Sequence, residues 1–245
     1  MSLLPLQQVF DGLAPYYHLP DLLSFRVADR LRRNVVRAAL RPADRTVIDL
    51  MCGSGNNRKW LTGRQPLHYT GYDVSPAMIR EARRRYGASA GVDFFERDLL
   101  REDCGAGAAD LVLCSYGLKC IPPADYEAFV CLVDRAIGQQ GRFCFLEFQY
   151  PSAPFPRRLA KAYLKWICRP LNGLVAGNSM ATRALEARLQ FPVDTERWCA
   201  LFAAKGIAVA LRRRFGGAVI ELEGQRIAAQ SCAAGTQAVA PDGVS

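Results

Sequence analysis

Short apolar runs alternate with amphipathic segments along most of this chain. Apolar residues at helical spacing, with arginines on the other face, predict an amphipathic helix over residues 21–41. The same rhythm predicts strands at Thr46–Leu50, Tyr69–Asp73, Val92–Phe95, Ala109–Ser115 and Gly141–Phe148, and helices from Ser75-Pro76 onward and over Asp125–Ile137. Strands that alternate with helices are typical of a parallel sheet covered on both faces.

The alternation stops at residues 152–190, which are helical and basic in pattern, and it resumes with a helix at 194–205 and strands near 207–214 and 216–222. We therefore predict one α/β domain over 45–232 with a helical insertion at 152–190. Residues 1–44 are expected to form an N-terminal helical lid or substrate segment. Small residues and a Pro-Asp-Gly turn predict a disordered tail over 233–245.

The composition of the chain excludes several classes of protein. Half of the residues are hydrophobic, which excludes intrinsic disorder, and no apolar run is long enough to span a membrane. The N-terminus lacks the basic and apolar regions of a secretory signal, so a cytoplasmic protein is expected. The nine cysteines contain no C-x-x-C pair, and we predict reduced thiols with no metal site.

Positive charge is concentrated in three segments. The formal charge is +9, with six arginines against one acid from Arg26 to Arg41 and a further cluster at Arg212-Arg213-Arg214. In the third segment, 157–169, basic residues recur every four positions on one helical stripe. Such a helix suits contact with an anionic membrane, although solvation alone would also explain a lid with a charged face.

Three aspartates end successive predicted strands, where a parallel sheet binds its ligands. Asp49 precedes Gly53 and Gly55, which allow close approach of backbone to a ligand. Asp73 is placed to accept hydrogen bonds from ribose hydroxyls, and Asp98 from an adenine amino group. Arg58 stands where a dinucleotide fold requires its third glycine, and no Gly-Lys-Ser/Thr motif for a nucleoside triphosphate is present.

These features resemble the class I S-adenosylmethionine-dependent methyltransferases, and more narrowly the ubiquinone/menaquinone biosynthesis C-methyltransferase family, from about Val9 to Glu223. The similar segments are Phe10-Asp11 to Tyr17, Val47–Asn56, Ser115-Tyr116-Gly117-Leu118-Lys119, Leu146-Glu147-Phe148 and Phe191-Pro192. The resemblance implies a Rossmann-like seven-stranded methyltransferase sheet with helices on both faces and a helical insertion before the last two strands.

The resemblance also assigns cofactor contacts. It implies that Asp49, Gly53 and Gly55 hold the methionine part of S-adenosylmethionine and that Asp73 holds the ribose. The remaining expected contacts are Cys52, Val74 and Met78, Asp98 with Leu99 at the adenine, and Ser115 from the fourth strand.

The chain departs from the family pattern at several positions. In the first motif Cys52 replaces a glycine and Asn56 an aspartate, and on the acceptor side Lys119-Cys120 replaces an Arg-Asn pair. Tyr17, His18 and Lys119 are the candidate catalytic residues, since a phenol or ring C–H acceptor benefits from a base or a neutralising charge. Each has a structural alternative: packing for Tyr17, simple exposure for His18 and ion pairing for Lys119.

The resemblance predicts methyl transfer to a small quinone-like or phenolic acceptor. N- or O-methylation of another metabolite or lipid headgroup stays open, as does a cofactor-binding protein without transferase activity. The net charge suggests a nucleic-acid partner. The chain lacks the Asp/Asn-Pro-Pro-Tyr and Pro-Cys motifs of nucleic-acid methylation, so we expect none.

Overall fold

A computed structural model provides the structure of the protein. It describes residues 26–61, 68–104, 109–149 and 192–227, together with Gln7, Phe10, Asp11, Ala14, Arg157, Arg158, Ala162 and Lys165. Among these residues, no helix is both long and apolar enough to cross a bilayer.

Seven strands form one mixed sheet in the order β3-β2-β1-β4-β5-β7-β6. They are β1 (Thr46–Leu50), β2 (His68–Asp73), β3 (Val92–Glu96), β4 (Ala109–Ser115), β5 (Ile137–Phe148), β6 (Ile207–Arg214) and β7 (Val219–Arg226). Strands β1 to β5 pair in parallel, whereas β7 is antiparallel to both β5 and β6. The carboxyl ends of β1 to β6 therefore share one edge.

Helices cover both faces of this sheet. They are α1 (Val27–Ala39), α2 (Pro76–Tyr86), α3 (Tyr126–Ala136) and α4 (Thr195–Ala203). Successive residues of a strand point to opposite faces. Val47 accordingly packs in the cluster of α1 and α2, and Ile48 in the cluster of α3 and α4. The core is thus two apolar layers on either side of the sheet.

Helix α2 begins as the sequence predicts. Ser75 is its N-cap, with the hydroxyl accepting a hydrogen bond from the Met78 amide at 3.2 Å, and Pro76 occupies the first turn. This cap directly follows β2, so it fixes the direction in which the chain leaves the carboxyl edge.

Most predicted elements are confirmed, and the differences have local causes. Strand β5 begins at Ile137, directly after α3, rather than at Gly141. Strand β7 begins at Val219 because Phe215–Gly217 form a left-handed turn. The connection from β6 is too short for a crossover, so β7 returns antiparallel. The parallel sheet expected from the alternation is therefore mixed at this end.

The described residues include only part of the predicted N-terminal segment and of the predicted insertion. Within 1–44, α1 packs on the sheet and belongs to the core. Most of the predicted insertion 152–190 and the whole tail 233–245 lie outside the described residues. Cysteines in the described part of the chain are free thiols, as expected.

Candidate functional site

A pocket opens at the carboxyl edge of the sheet, beside the ends of β1, β2 and β4. Its empty space, including the part that is open to solvent, is about 680 Å³. Its walls are Phe10, Met51, Gly53, Asp73, Val74, Met78, Arg97, Leu99, Ser115, Tyr116, Gly117 and Cys120. Six of the residues expected from the sequence are among them: Gly53, Asp73, Val74, Met78, Leu99 and Ser115.

The turn after β1 forms one wall. Met51, Gly53 and Gly55 have φ angles of 55°, 54° and 76°, in the left-handed region that glycine tolerates best. A Cβ on Gly55 would also lie 3.1 Å from the rings of Phe94 and Tyr86. The two glycines therefore allow a sharp turn that exposes backbone to the pocket. Met51 adopts the same conformation without being glycine, and its sequence position gave no signal of this.

Asp73 ties that turn to the next strand. One carboxylate oxygen accepts from the Gly53 amide at 2.8 Å and the other from the Ser75 amide at 2.9 Å. Each oxygen retains capacity for a second hydrogen bond, which a hydroxyl group in the pocket can donate. Burial raises the pKa of the Asp73 carboxyl to about 6, although these amides act in the opposite direction.

Asp49 lies behind the pocket wall rather than on it. It is fully buried, with its oxygens accepting from the Tyr69 hydroxyl at 2.5 Å and the Asn57 amide at 2.8 Å. The Ser115 hydroxyl donates to the side-chain oxygen of Asn57 at 2.9 Å. A buried chain of polar groups thus runs from Ser115 on the pocket wall into the core. Burial raises the pKa of Asp49 to about 7.

Three further residues expected to contact the cofactor do not line the pocket: Gly55, Cys52 and Asp98. Cys52 is buried, and burial raises the pKa of its thiol well above the ordinary value, so it remains protonated and is unsuited to nucleophilic chemistry. Asp98 accepts from the Leu100 amide at 3.1 Å and pairs with Arg101 at 3.6 Å. The adenine contact therefore remains a prediction, with Leu99 the member of this pair that reaches the pocket.

Lys119 lies next to the pocket residue Cys120 and close to Glu147, at the end of β5. The Glu147 carboxylate accepts from the backbone amides of Lys119 at 3.2 Å and Phe148 at 2.8 Å. Glu147 is only 2% exposed, and burial raises its pKa to about 7. Burial lowers the pKa of Lys119, whereas the charge of Glu147 raises it. The other two predicted catalytic residues, Tyr17 and His18, lie outside the described residues.

Tyr116 lines the pocket although it was not predicted as a site residue. It belongs to the segment Ser115–Lys119 that resembles the family. It has a left-handed φ of 64°, and its ring stacks on Phe148 with centroids 4.5 Å apart. The hydroxyl donates to the Ala28 carbonyl at 2.9 Å, while the Arg32 guanidinium lies 5.1 Å from the ring centroid. Tyr116 therefore joins the pocket wall to the first turn of α1. The only sequence signal was its place in the Ser-Tyr-Gly segment.

The N-terminal segment also reaches the site. Phe10 lines the pocket, and the Asp11 carboxylate accepts from the Ser75 hydroxyl at 2.6 Å and the Ala77 amide at 3.2 Å. These contacts place Asp11 at the positive end of the α2 dipole. Arg97 is a further wall residue that sequence reasoning missed, since it only flanks the predicted Asp98.

The residues present fit S-adenosylmethionine. The walls combine one carboxylate for ribose hydroxyls, apolar side chains for a purine face and a glycine turn that brings backbone close to the ligand. Within the described residues, no cluster of His, Cys, Asp or Glu is arranged for a metal ion. This pocket on a sheet of order 3-2-1-4-5-7-6 defines a class I S-adenosylmethionine-dependent methyltransferase.

Comparison with known proteins identifies the family. Residues 47–141 match a methyltransferase domain model. Demethylmenaquinone methyltransferase of Thermus thermophilus is 33% identical over 204 residues, covering 82% of this chain and 92% of that protein. The chain therefore belongs to the family of demethylmenaquinone and ubiquinone/menaquinone biosynthesis C-methyltransferases, and its cofactor is S-adenosylmethionine.

A second sequence relative and a solved structure are also similar to this chain. The 2-phytyl-1,4-naphtoquinone methyltransferase of Synechococcus elongatus is 33% identical over 171 residues, covering 65% of this chain and 70% of that protein. The structure of a methyltransferase of Thermotoga maritima, described as a possible histamine N-methyltransferase, matches with a TM-score of 0.61 at 15% identity. It covers 89% of this chain and 98% of that one, and at this identity it shows the fold alone.

Proposed function

We propose that this methyltransferase acts on a small quinone-like or phenolic ring and forms a new carbon–methyl bond. The observation that carries the proposal is the similarity to demethylmenaquinone methyltransferase over 82% of the chain. The Tyr116–Phe148 stack beside the pocket provides a flat apolar surface suited to an aromatic ring.

The chain's own residues have three tasks in this reaction. S-adenosylmethionine, when bound, supplies an electrophilic methyl group on a sulfonium that leaves as a neutral thioether. The Asp73 carboxylate holds the ribose hydroxyls, and the Gly53 turn and Leu99 hold the methionine and adenine ends. The pocket walls exclude water and align the acceptor carbon, since an in-line displacement depends chiefly on alignment. A ring carbon that gains a methyl group must then lose its proton to a base.

Lys119, Tyr17 and His18 are the residues we assign to the acceptor. Lys119 would neutralise negative charge that develops on an acceptor oxygen. The charge of the neighbouring Glu147 raises the pKa of Lys119 and so favours its protonated form. Tyr17 would position the acceptor, and His18 would accept the proton near neutral pH.

We also propose peripheral membrane contact through 157–169, in which the described residues Arg157, Arg158 and Lys165 are exposed. A cytoplasmic location is part of the same proposal.

The test is transfer of a deuteromethyl group from labelled cofactor to a short-tailed demethylnaphthoquinol, detected by mass spectrometry. Nuclear magnetic resonance of the product distinguishes C- from O-methylation. We expect C-methylation. Cofactor binding with no turnover on quinol, phenol and amine acceptors would overturn the proposal.

The residue roles are tested in the same assay. Lys119→Ala and Tyr17→Phe should lower turnover while leaving cofactor affinity nearly unchanged. Lys205→Ala, an exposed lysine after α4, is the matched control. Equal turnover in Lys119→Ala and Lys205→Ala would remove Lys119 from the mechanism.

A further inference from the structure

Several exposed apolar side chains lie at the edge of the sheet where the pocket opens. Of the described residues, five large apolar ones are exposed: Val27, Phe95, Phe148, Phe215 and Ile227. The first four lie at the carboxyl ends of strands or at the start of α1, whereas Ile227 follows β7 at the opposite edge. Phe95 is on β3 at one end of the sheet, whereas Phe148 and Phe215 lie near each other at the other end, at the ends of the strands that flank β7.

Phe215 is the most exposed of them, at 66%, and it lies at the tip of the β6–β7 turn. Its φ is 52°, and Gly216 and Gly217 follow at 62° and 86°. A left-handed backbone is unfavourable for a bulky L side chain, and asparagine or glycine adopts it more readily. Phe215 therefore neither buries its ring nor suits its backbone within the described fold. This combination is explained if the ring is buried against something outside the molecule.

The strand that leads to this turn is strongly basic. From Arg197 to Ile220 the chain has five basic residues and no acid. Arg214 donates to Glu221 through both Nε, at 2.5 Å, and Nη2, at 3.1 Å, but the arginine side chain is 53% exposed and the glutamate only 4%. Arg213 is exposed as well. The surface beside Phe215 thus presents guanidinium groups, which bind phosphate well.

The turn is close to the mouth of the pocket. Phe148 pairs with Val219, and the Gln149 amide donates to the Ala218 carbonyl at 2.8 Å. Phe148 in turn stacks on Tyr116 of the pocket wall. Two contacts therefore separate the cofactor pocket from the β6–β7 turn, and the side chains along this path are aromatic.

We propose that the β6–β7 turn docks on an anionic phospholipid surface, with the Phe215 ring entering the interface and Arg213 and Arg214 contacting lipid phosphates. An apolar tip flanked by arginines matches the layers of such a surface, where acyl chains lie beneath charged headgroups. Docking here brings the pocket mouth to the lipid, and this consequence rests on the proposed function because it serves a quinone-like acceptor only if that acceptor carries an apolar tail that partitions into the bilayer. The docking itself does not depend on the acceptor.

The first test is co-sedimentation with vesicles of equal parts phosphatidylcholine and phosphatidylglycerol. Phe215→Asn should weaken vesicle binding about tenfold, because an interfacial aromatic ring is lost. Its melting temperature should be unchanged or higher, because asparagine tolerates the left-handed backbone. Ile227→Asn is the control, since this apolar residue is 64% exposed at the opposite edge and should leave binding unchanged. Arg213→Glu should weaken binding at low salt, and by less as salt rises.

Three results would overturn the docking proposal: no vesicle binding by the wild type, equal binding by Phe215→Asn, or an equal loss in Ile227→Asn. A lower melting temperature in Phe215→Asn with unchanged vesicle binding would show that the chain itself covers the ring, and would also overturn it.

Turnover separates this inference from the proposed function. Phe215→Asn should retain turnover on the short-tailed, water-soluble acceptor and lose it on a long-tailed acceptor held in vesicles. If the wild type methylates neither acceptor but its vesicle binding depends on Phe215, the proposed function fails and the docking surface stands.

Discussion

Replacing Asp73 by asparagine tests the cofactor site at its best-defined contact. The Gly53 and Ser75 amides donate to different oxygens of this carboxylate, at 2.8 and 2.9 Å. Asparagine offers only one acceptor oxygen, so its NH₂ group must face one of the two amides. The substitution therefore removes the charge that we propose binds the ribose, and it also disturbs the Gly53 turn. Hydrogen bonds to charged groups contribute about 1.5–3 kcal/mol, which predicts a Kd for S-adenosylmethionine higher by a factor of roughly 10–150.

The pH dependence of binding gives the same experiment a second readout. The pKa of Asp73 is raised to about 6 in the free protein, so the carboxylate is ionised above that pH. If the ionised form binds the ribose, wild-type affinity rises with pH through about 6 and falls below it. Asp73→Asn cannot titrate at this position, and its affinity should follow only the ionisation of the ligand and of the groups that both proteins share, such as Asp49. The ratio of the two affinities isolates Asp73.

Isothermal titration calorimetry between pH 5 and 8, with melting temperatures at each pH, provides both quantities. Asp93→Asn on the neighbouring strand β3 is the control, because that aspartate is exposed and away from the pocket wall. A Kd for Asp73→Asn within twofold of the wild type would show that the Asp73 carboxylate does not bind the cofactor. A lower melting temperature with unchanged affinity would restrict Asp73 to holding the turn.

Two further predictions concern buried carboxylates and are read from urea unfolding. Tyr69→Phe should lower the free energy of unfolding by about 1–3 kcal/mol, because fully buried Asp49 loses its 2.5 Å donor. The folded-state pKa of Asp49, about 7, exceeds its ordinary value of 3.8, so its contribution to stability decreases as pH rises from about 4 to 7. In Tyr69→Phe this decrease should extend to higher pH, because a hydrogen bond that lowers the pKa of Asp49 is lost. Identical plots of unfolding free energy against pH for the two proteins would contradict this prediction. Arg142 donates to both oxygens of Asp44, at 2.9 and 2.6 Å, and Asp44→Asn should cost about 3–5 kcal/mol. Adding Arg142→Met should recover part of that loss, and additive losses would show that the two residues are not coupled.

The order and type of the elements follow from local pattern, and this part of the structure was predictable. Strand β1 has the predicted bounds because its run Thr46–Leu50 is apolar and β-branched enough to be buried on both faces. The start of α2 was equally local, since Ser75 and Pro76 cap and open a helix through contacts within one turn.

The roles of the three strand-end aspartates were not predictable. Asp49, Asp73 and Asp98 look equivalent along the chain, yet one is fully buried, one lines the pocket and one lies outside the pocket wall. The difference for Asp49 is made by Tyr69, which is twenty residues away and lies beside it only because β1 and β2 pair in a particular register. A tyrosine within an apolar strand gives no sequence signal that its hydroxyl binds a carboxylate.

Local sequence patterns therefore set the succession of elements, the glycine turn and the edge of the sheet where the site lies, because hydrophobic periodicity, capping and turn chemistry act between near neighbours. The groups that contact one another depend instead on tertiary packing. It set Ser115 against Asn57, Tyr116 against Ala28 and Phe148 beside the β6–β7 turn. These contacts join residues 58 or more positions apart, and they exist because packing and strand register bring distant segments together.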